Sequence, residues 1–305
     1  MNFYSHLGHV DSGKSTIMGH LLFLTGVVDQ REMHRYTMDS ETIGKSSFRY
    51  AWVLDGQEEE RERGVTIDVA VSSFETEHKI VTLLDAPGHR DFVPNMINGT
   101  AQADVAILVI NSTKGEFETG MKVDGQTREH IILAKSLGIS EIIVAVNKLD
   151  TEDWSEERYN FIHGDLKKTL NKCGYKDSRI RWLPCSGLEG VNLHETNQDL
   201  IPWYNGKCLL DLIDETSARV KDYDKPFRMI VSDMYKDKYQ LGDTVSGKIQ
   251  AGIVSSKDTV LVLPQKEYIK VKGIRYQDNM VNYSFAGQNV DIGIESEMQN
   301  LSYVL

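Results

Sequence analysis

Gly8, His9, Val10, Asp11, Ser12, Gly13, Lys14 and Ser15 follow the pattern G-x-x-x-x-G-K-[ST]. Glycines in such a run let the backbone wrap phosphate oxygens, so that successive N–H groups point at them. Lys14 supplies a positive charge for terminal phosphates, and the Ser15 hydroxyl suits Mg²⁺. Thr16 opens a helical stretch to Leu24, whose N-terminus adds a favourable dipole. The bland alternative is a glycine turn before a helix, and further motifs decide between the two.

Asp85, Ala86, Pro87, Gly88 and His89 follow an apolar run at residues 80–84. An aspartate at a strand end beside a phosphate loop holds Mg²⁺ directly or through water. Gly88 lets a backbone N–H approach the last phosphate, and His89 is placed beside an attacking water. Asn147, Lys148, Leu149 and Asp150 follow a second apolar run at residues 142–146. A carboxylate at Asp150 accepts from both N1–H and the exocyclic amine of guanine, donors that adenine lacks there. A site built for polar donors rejects an analogue without them by orders of magnitude, so the nucleotide is read as GTP or GDP. Lys148 lays its stem along the base, and Asn147 ties its segment to the phosphate loop. Ser186, Gly187 and Leu188 are placed to donate backbone N–H groups to guanine O6.

Residues 58–67 form a dense charge run that enters a β-like segment at Thr66. Taken alone the run is a solvated face. Between the phosphate loop and Asp85, Thr66 completes the Mg²⁺ shell of Ser15 and Asp85 when a third phosphate is present, ordering a loop that hydrolysis releases.

The elements that must carry these residues follow from the apolar pattern. Runs at 80–84, 105–110 and 142–146 are β-rich, and each leads through a polar loop to a helix-like stretch. That is the grammar of βα units around a mainly parallel sheet, with ligands beyond the carboxyl ends of the strands. Residues 3–7 read as the strand before the phosphate loop, shorter and less apolar than a central parallel strand would be. The grammar changes after Pro226. Residues 227–233, 244–249, 259–263 and 269–274 are short β runs punctuated by glycines. The expectation is an α/β P-loop GTP-binding domain over residues 1–222 followed by a small all-β barrel domain over residues 225–305, possibly incomplete. Residues 221–226 read as the linker.

Composition narrows the class. Hydrophobic residues make up 40% and charged residues 26% of 305, enough for two domains with real cores. A net charge of −11 disfavours a general nucleic-acid binder. No apolar run approaches the roughly 20 residues of a membrane span, and residues 1–6 lack a secretory signal. Cys173, Cys185 and Cys208 form no C-x-x-C pair and read as free thiols of a reducing compartment. A cytoplasmic location without membrane contact is expected.

The motifs together resemble the translational GTPase superfamily. His9, Val10 and Asp11 within the loop, residues 61–67, residues 85–92 and residues 125–130 are similar to the eukaryotic elongation-factor-one-alpha group. Residues 44–55 are similar to its aminoacyl-tRNA carriers and its HBS-one-like ribosome-rescue GTPases. Residues 92–96 and 184–193 are similar to the rescue and class-two release factors, and the rescue group satisfies all of these. That resemblance implies a GTPase, monomeric outside its complex, whose GTP form delivers a Pelota-like protein to a stalled ribosome. It implies that His89 activates water there, that Val10 and Val65 gate it, and that Lys14 and Thr66 support the chemistry. Release-factor GTPase, with a class-one release factor as partner, and carrier of aminoacyl-tRNA are the alternatives within the group. Outside it stand a GTP-binding module without turnover and the large subunit of sulfate adenylyltransferase. Members of the group carry a third, barrel domain that these residues do not include, so the chain is expected to be a fragment or a short form.

Overall fold

The computed structural model describes residues 2–54, 60–61, 66, 70–87, 92, 96–97, 100, 103–123, 125–216, 223–237, 240–276 and 279–295. Two compact units divide the chain, Met1–Ser217 and Ala218–Leu305. Residues 221 and 222 of the expected linker lie outside the described residues.

In chain order the first unit contains β1 (Asn2–Leu7), α1 (Lys14–Leu24), α2 (Gln30–Thr42), β2 (Ala70–Glu75), β3 (Ile80–Asp85), β4 (Val105–Asn111), α3 (Glu116–Met121), α4 (Gln126–Ser136), β5 (Glu141–Asn147), α5 (Glu156–Lys172), β6 (Ile180–Pro184) and α6 (Leu209–Glu215). The sheet order is β2-β3-β1-β4-β5-β6. Only the β2–β3 pair is antiparallel. Every residue of β4 and β5 is buried, as continuous apolar runs in a parallel sheet require.

Side-chain alternation along the strands splits the core into two layers. Leu108, Ile110, Val144 and Val146 pack with Ile131 and Ala134 of α4 and with Ile162 and Leu166 of α5. Ile107, Val109, Ile143 and Ala145 pack with Ile17, Met18 and Leu21 of α1 and with Leu209 and Ile213 of α6. The helices are stopped and started by local chemistry. Asp29 caps α2 by accepting from Glu32 N at 2.8 Å, and Ser155 caps α5 by accepting from Arg158 N at 3.2 Å. β1 lies centrally between β3 and β4 although Ser5 and His6 are fully buried in it. A strand with two buried polar residues is thus more central than its composition suggests. Burial holds His6 neutral, its pKa lowered to about 3, with Lys14 adding to the shift.

The second unit is antiparallel: β7 (Arg228–Asp237), β8 (Gly242–Ala251), β9 (Ile253–Ser255), β10 (Thr259–Val262), β11 (Glu267–Tyr276), β12 (Asn279–Val281), β13 (Tyr283–Phe285) and β14 (Asn289–Glu295). Its main sheet runs β10-β11-β14-β8-β7, with β12 on β11 and a separate β9–β13 pair. This half-barrel surrounds Ile249, Val254, Val271, Ile274 and Ile292. Arg275 ties three of its strands, donating to Asp291 at 3.0 and 3.1 Å, to Asp237 at 3.2 Å and to the Tyr235 hydroxyl at 2.7 Å. The three cysteines are unpaired. Among the described residues no helix is long and apolar enough to cross a membrane.

Arg158 at the start of α5 is buried. It donates to Ser112 O at 2.7 Å, to Thr113 O at 3.2 Å and to both carboxylate oxygens of Glu118 at 2.7 and 3.3 Å. The Arg158 hydrogen bond holds the Glu118 pKa at about 2, below its ordinary 4.5. A depressed carboxylate stabilises the fold above the unfolded value, and that contribution is lost as pH falls from about 4.5 towards about 2. Solvent at the half-exposed Glu118 keeps it modest. Glu118→Gln is expected to lower the urea midpoint at neutral pH, with the gap to the parent chain closing as the pH is taken below 4.5. A gap that persists unchanged into acid would exclude the ionised pair as its cause.

Candidate nucleotide-binding site

The parallel strands bring the motifs to one edge. His6 is in register with Asp85, Asn111 with Asn147, and Val146 with Pro184. The loops that follow β1, β3, β5 and β6 therefore leave the sheet side by side, at its carboxyl end.

The loop after β1 folds through two left-handed residues, Asp11 (φ 59) and Gly13 (φ 87). Gly13 has a steric reason as well: a Cβ there would stand 2.4 Å from Asn147 Nδ2. Lys14 is buried, and its ammonium donates to Gly8 O at 3.0 Å and His9 O at 2.9 Å. Two of its three donors are thereby engaged. Burial lowers its pKa to about 8, against the pull of Asp85 and Asp11. Burial holds His130 of α4 neutral too, its pKa lowered to about 3, with Lys14 and His9 adding to the shift and the Gly8 backbone opposing it.

Above the loop lies a cavity of ≈ 550 Å³, within the usual range for small-molecule sites. Val10, Asp11, Gly13, Lys14, Ser15, Thr16, Thr66, Asn147, Lys148, Asp150, Ser186 and Leu188 line it. Gly8, His9, Ser12, Asp85 and Gly187 do not; they form its supporting layer. Gly88 and His89 lie outside the described residues.

Three oxygen groups converge at one end. Ser15 Oγ donates to Asp85 Oδ2 at 2.6 Å and lies 3.2 Å from Thr66 Oγ1. Asp85 is fully buried, and its Oδ1 has no partner among the described residues. Burial pushes its pKa up to about 6, with Ser15 and Lys14 opposing. Two hydroxyls and an under-satisfied buried carboxylate fit a hard cation that prefers oxygen ligands and keeps several waters, the coordination habit of Mg²⁺.

At the other end the side chain of Asn147 joins two loops. Its Nδ2 donates to Ser12 O at 2.7 Å, and its Oδ1 accepts from Gly187 N at 2.8 Å. Gly187 therefore departs from its expected role. Its N–H is engaged by Asn147, while the N–H of Ser186 donates to Val191 O at 3.3 Å. Of the three backbone donors expected for the base, only that of Leu188 has no partner among the described residues. Lys148 adopts a left-handed backbone (φ 61) that starts the 3₁₀ turn Leu149–Glu152 and turns Asp150 to the cavity. Asp150 Oδ1 is buried without a partner among the described residues, and a buried carboxylate oxygen is ordinarily matched by donors.

Sequence reasoning missed four lining residues, Ser47, Phe48, Ala51 and Thr151. Three of them come from the 3₁₀ turns Ser46–Phe48, which packs on α2, and Ala51–Val53, which packs on α1, and neither turn carries a phosphate or base motif. Of the charge run, the described Glu60 and Arg61 do not sit on a solvated face, and residues 58, 59, 62–65 and 67 lie outside the described residues. Glu60 is buried, and Arg61 lies over the rings of Tyr36 and Trp52 at 5.5 and 5.6 Å.

A family model described as the elongation factor Tu GTP-binding domain matches residues 2–219. Protein HBS1 of Drosophila melanogaster is 49% identical over 288 residues, covering 94% of this chain and 43% of that protein. Elongation factor 1-alpha of Thermofilum pendens is 41% identical over 289 residues, covering 95% of this chain and 66% of that protein. The crystal structure of sup35 complexed with GMPPNP is 33% identical with a TM-score of 0.54, covering 98% of this chain and 64% of that one. The chain thus spans less than half of the HBS1 protein and about two thirds of the other two.

Removing the Asn147 amide leaves Ser12 O and Gly187 N unpaired in a buried place. Asn147→Ala is expected to destabilise the first unit by about 1–3 kcal/mol, read from urea unfolding. A loss under about 0.5 kcal/mol would show that the two loops hold their positions without it.

Proposed function

The chain belongs to the family of translational GTPases built on the elongation factor Tu GTP-binding domain, and from that membership we propose that it binds GTP with Mg²⁺, hydrolyses it on the ribosome, and delivers a Pelota-like partner to stalled ribosomes. The observation that carries the nucleotide part is the cavity itself. A buried lysine and a glycine-turned loop stand at one end, and at the other stands a buried carboxylate oxygen of Asp150 that has no partner among the described residues. The 49% identity to HBS1 over nearly the whole chain supports the rescue role that the motifs imply within the group.

The roles follow from the geometry. Backbone N–H groups of the loop and the N-terminus of α1 receive the phosphates. Lys14 exchanges its bonds to Gly8 O and His9 O for phosphate oxygens. Ser15 and Thr66, with Asp85 behind them, would hold Mg²⁺, which supplies charge neutralisation between the phosphates when bound. Asp150 pairs N1–H and the 2-amino group of guanine, and Lys148 covers the base. His89 is assigned to the attacking water on the motif alone. Catalysis is then positioning and charge stabilisation, with slow turnover until the ribosome completes the site. A cytoplasmic setting is part of this reading. Elongation factor 1-alpha at 41% identity favours a second reading, carriage of aminoacyl-tRNA.

Asp150→Asn exchanges an acceptor for a donor opposite the 2-amino group. It is expected to cost GDP at least about 100-fold in affinity and to improve xanthosine diphosphate, both read by competition against a fluorescent GDP analogue. Unchanged GDP affinity would remove Asp150 as the base reader. The delivery role is tested by binding of the GTP-loaded chain to a Pelota-type protein, a class-one release factor and aminoacyl-tRNA in parallel. Preference for the Pelota-type protein is expected. Preference for either of the others would overturn the rescue assignment and leave nucleotide binding intact.

A further inference from the structure

His20, in α1, is used by none of the roles above. Its ring is closely packed. It stacks on Tyr50, with centroids 3.8 Å apart and planes within 8° of parallel. Gly190 lies against it too, where a Cβ would stand 2.7 Å from the ring's Cε1. The preceding Gly19 lets the Tyr50 backbone lie against the helix, since a Cβ there would stand 1.9 Å from Tyr50 O. His20 therefore sits where α1, the loop after β6 and the segment bearing Phe48 and Ala51 meet.

Its Nδ1 is 2.8 Å from Gly187 O. A carbonyl oxygen only accepts, so Nδ1 carries the proton and donates. Burial lowers the pKa of the ring, with the Gly187 bond opposing and Arg49 adding to the shift. The peptide unit that begins at the Gly187 carbonyl ends at the Leu188 N–H. In a planar trans peptide these two groups point in opposite directions. By drawing the carbonyl towards α1, His20 turns the Leu188 N–H away from α1, and Leu188 is a residue that lines the cavity. That N–H is also the backbone donor of the three left without a partner among the described residues.

We propose that His20 is a specificity-positioning residue, which acts through the Gly187–Leu188 peptide to aim the Leu188 N–H at the 6-oxo group of a bound guanine. The inference rests on the guanine reading above and adds to it the group that orients the donor. Asn147 fixes the near side of Gly187 through its N–H, and His20 fixes the far side through its carbonyl. Together they leave the peptide one orientation.

The test compares GDP with 6-thio-GDP, which differs from it at the 6-position alone, on the full chain. His20→Phe keeps the stack on Tyr50 and removes the donor. His20→Asn returns a donor near the Nδ1 position, whereas His20→Gln places it nearer Nε2. The parent chain should prefer GDP. His20→Phe should reduce the ratio of GDP to 6-thio-GDP affinity by roughly 3- to 10-fold, the net worth of a neutral hydrogen bond, and His20→Asn should restore it. Should His20→Phe not fold, His20→Gln carries the same expectation. An unchanged ratio in these variants overturns the proposal, and so does an equal loss for both ligands, which marks a merely structural ring. ADP in the same assay separates the two levels. A parent chain that binds ADP as well as GDP overturns the guanine reading itself, whereas rejection of ADP with an unchanged ratio overturns the role of His20 alone.

Discussion

One side-chain amide holds the site together. Asn147 ends β5, and its two polar atoms face different loops, the nitrogen towards Ser12 and the oxygen towards Gly187. No aspartate can do both, because an ionised carboxylate only accepts. The phosphate loop and the base loop are thus fixed to each other at a spacing set by one amide. Gly13 completes the constraint, since any Cβ there would displace the amide nitrogen. The distance from phosphates to base, which a nucleotide must match, is built into the fold itself.

Around that link the fold is a means of delivery. Parallel pairing in register places the ends of β1, β3, β5 and β6 in a row, and each end releases a loop with one task. β4 and β5 are buried on both faces, so their apolar residues carry no functional information. The chemistry lies in the loops that the strands release. Ser5 and His6 break this division, for they are polar and fully buried within β1. His6 and His130 stay neutral by burial, which leaves Lys14 as the cation of the phosphate end.

Much of this was legible in the sequence, for a physical reason. A glycine-rich turn, a strand-terminal aspartate and the Asn147–Asp150 run each work through their own local conformation, so their spacing reveals them. The parallel runs at 105–110 and 142–146 were equally plain, since short, β-branched apolar runs followed by polar loops suit strands buried on both faces. What was not legible depends on partners distant in sequence. Gly187 reads as a donor to the base until the Asn147 oxygen is found on its N–H. Phe48 and Ala51 reach the cavity because Gly19 admits their segment onto α1, and no local pattern announces that. In the second unit β9, β12 and β13 have three residues each, too short for any period to show. β14 was overlooked although Val290, Ile292 and Ile294 alternate with non-apolar residues at the period of a strand with one buried face.

The burial of Lys14 has a consequence for how a nucleotide arrives. The chain carries a net charge of −11, so its long-range field repels a polyphosphate. The attraction that captures the phosphates comes from a cation with 7% of its surface exposed and from fixed backbone dipoles. Dissolved ions screen exposed charges beyond about 8 Å at physiological ionic strength and buried ones far less. Added salt should therefore weaken the repulsion more than the attraction. Association would quicken as ionic strength rises while the departure rate stays nearly constant, the reverse of the behaviour of proteins that steer anions with a positive surface.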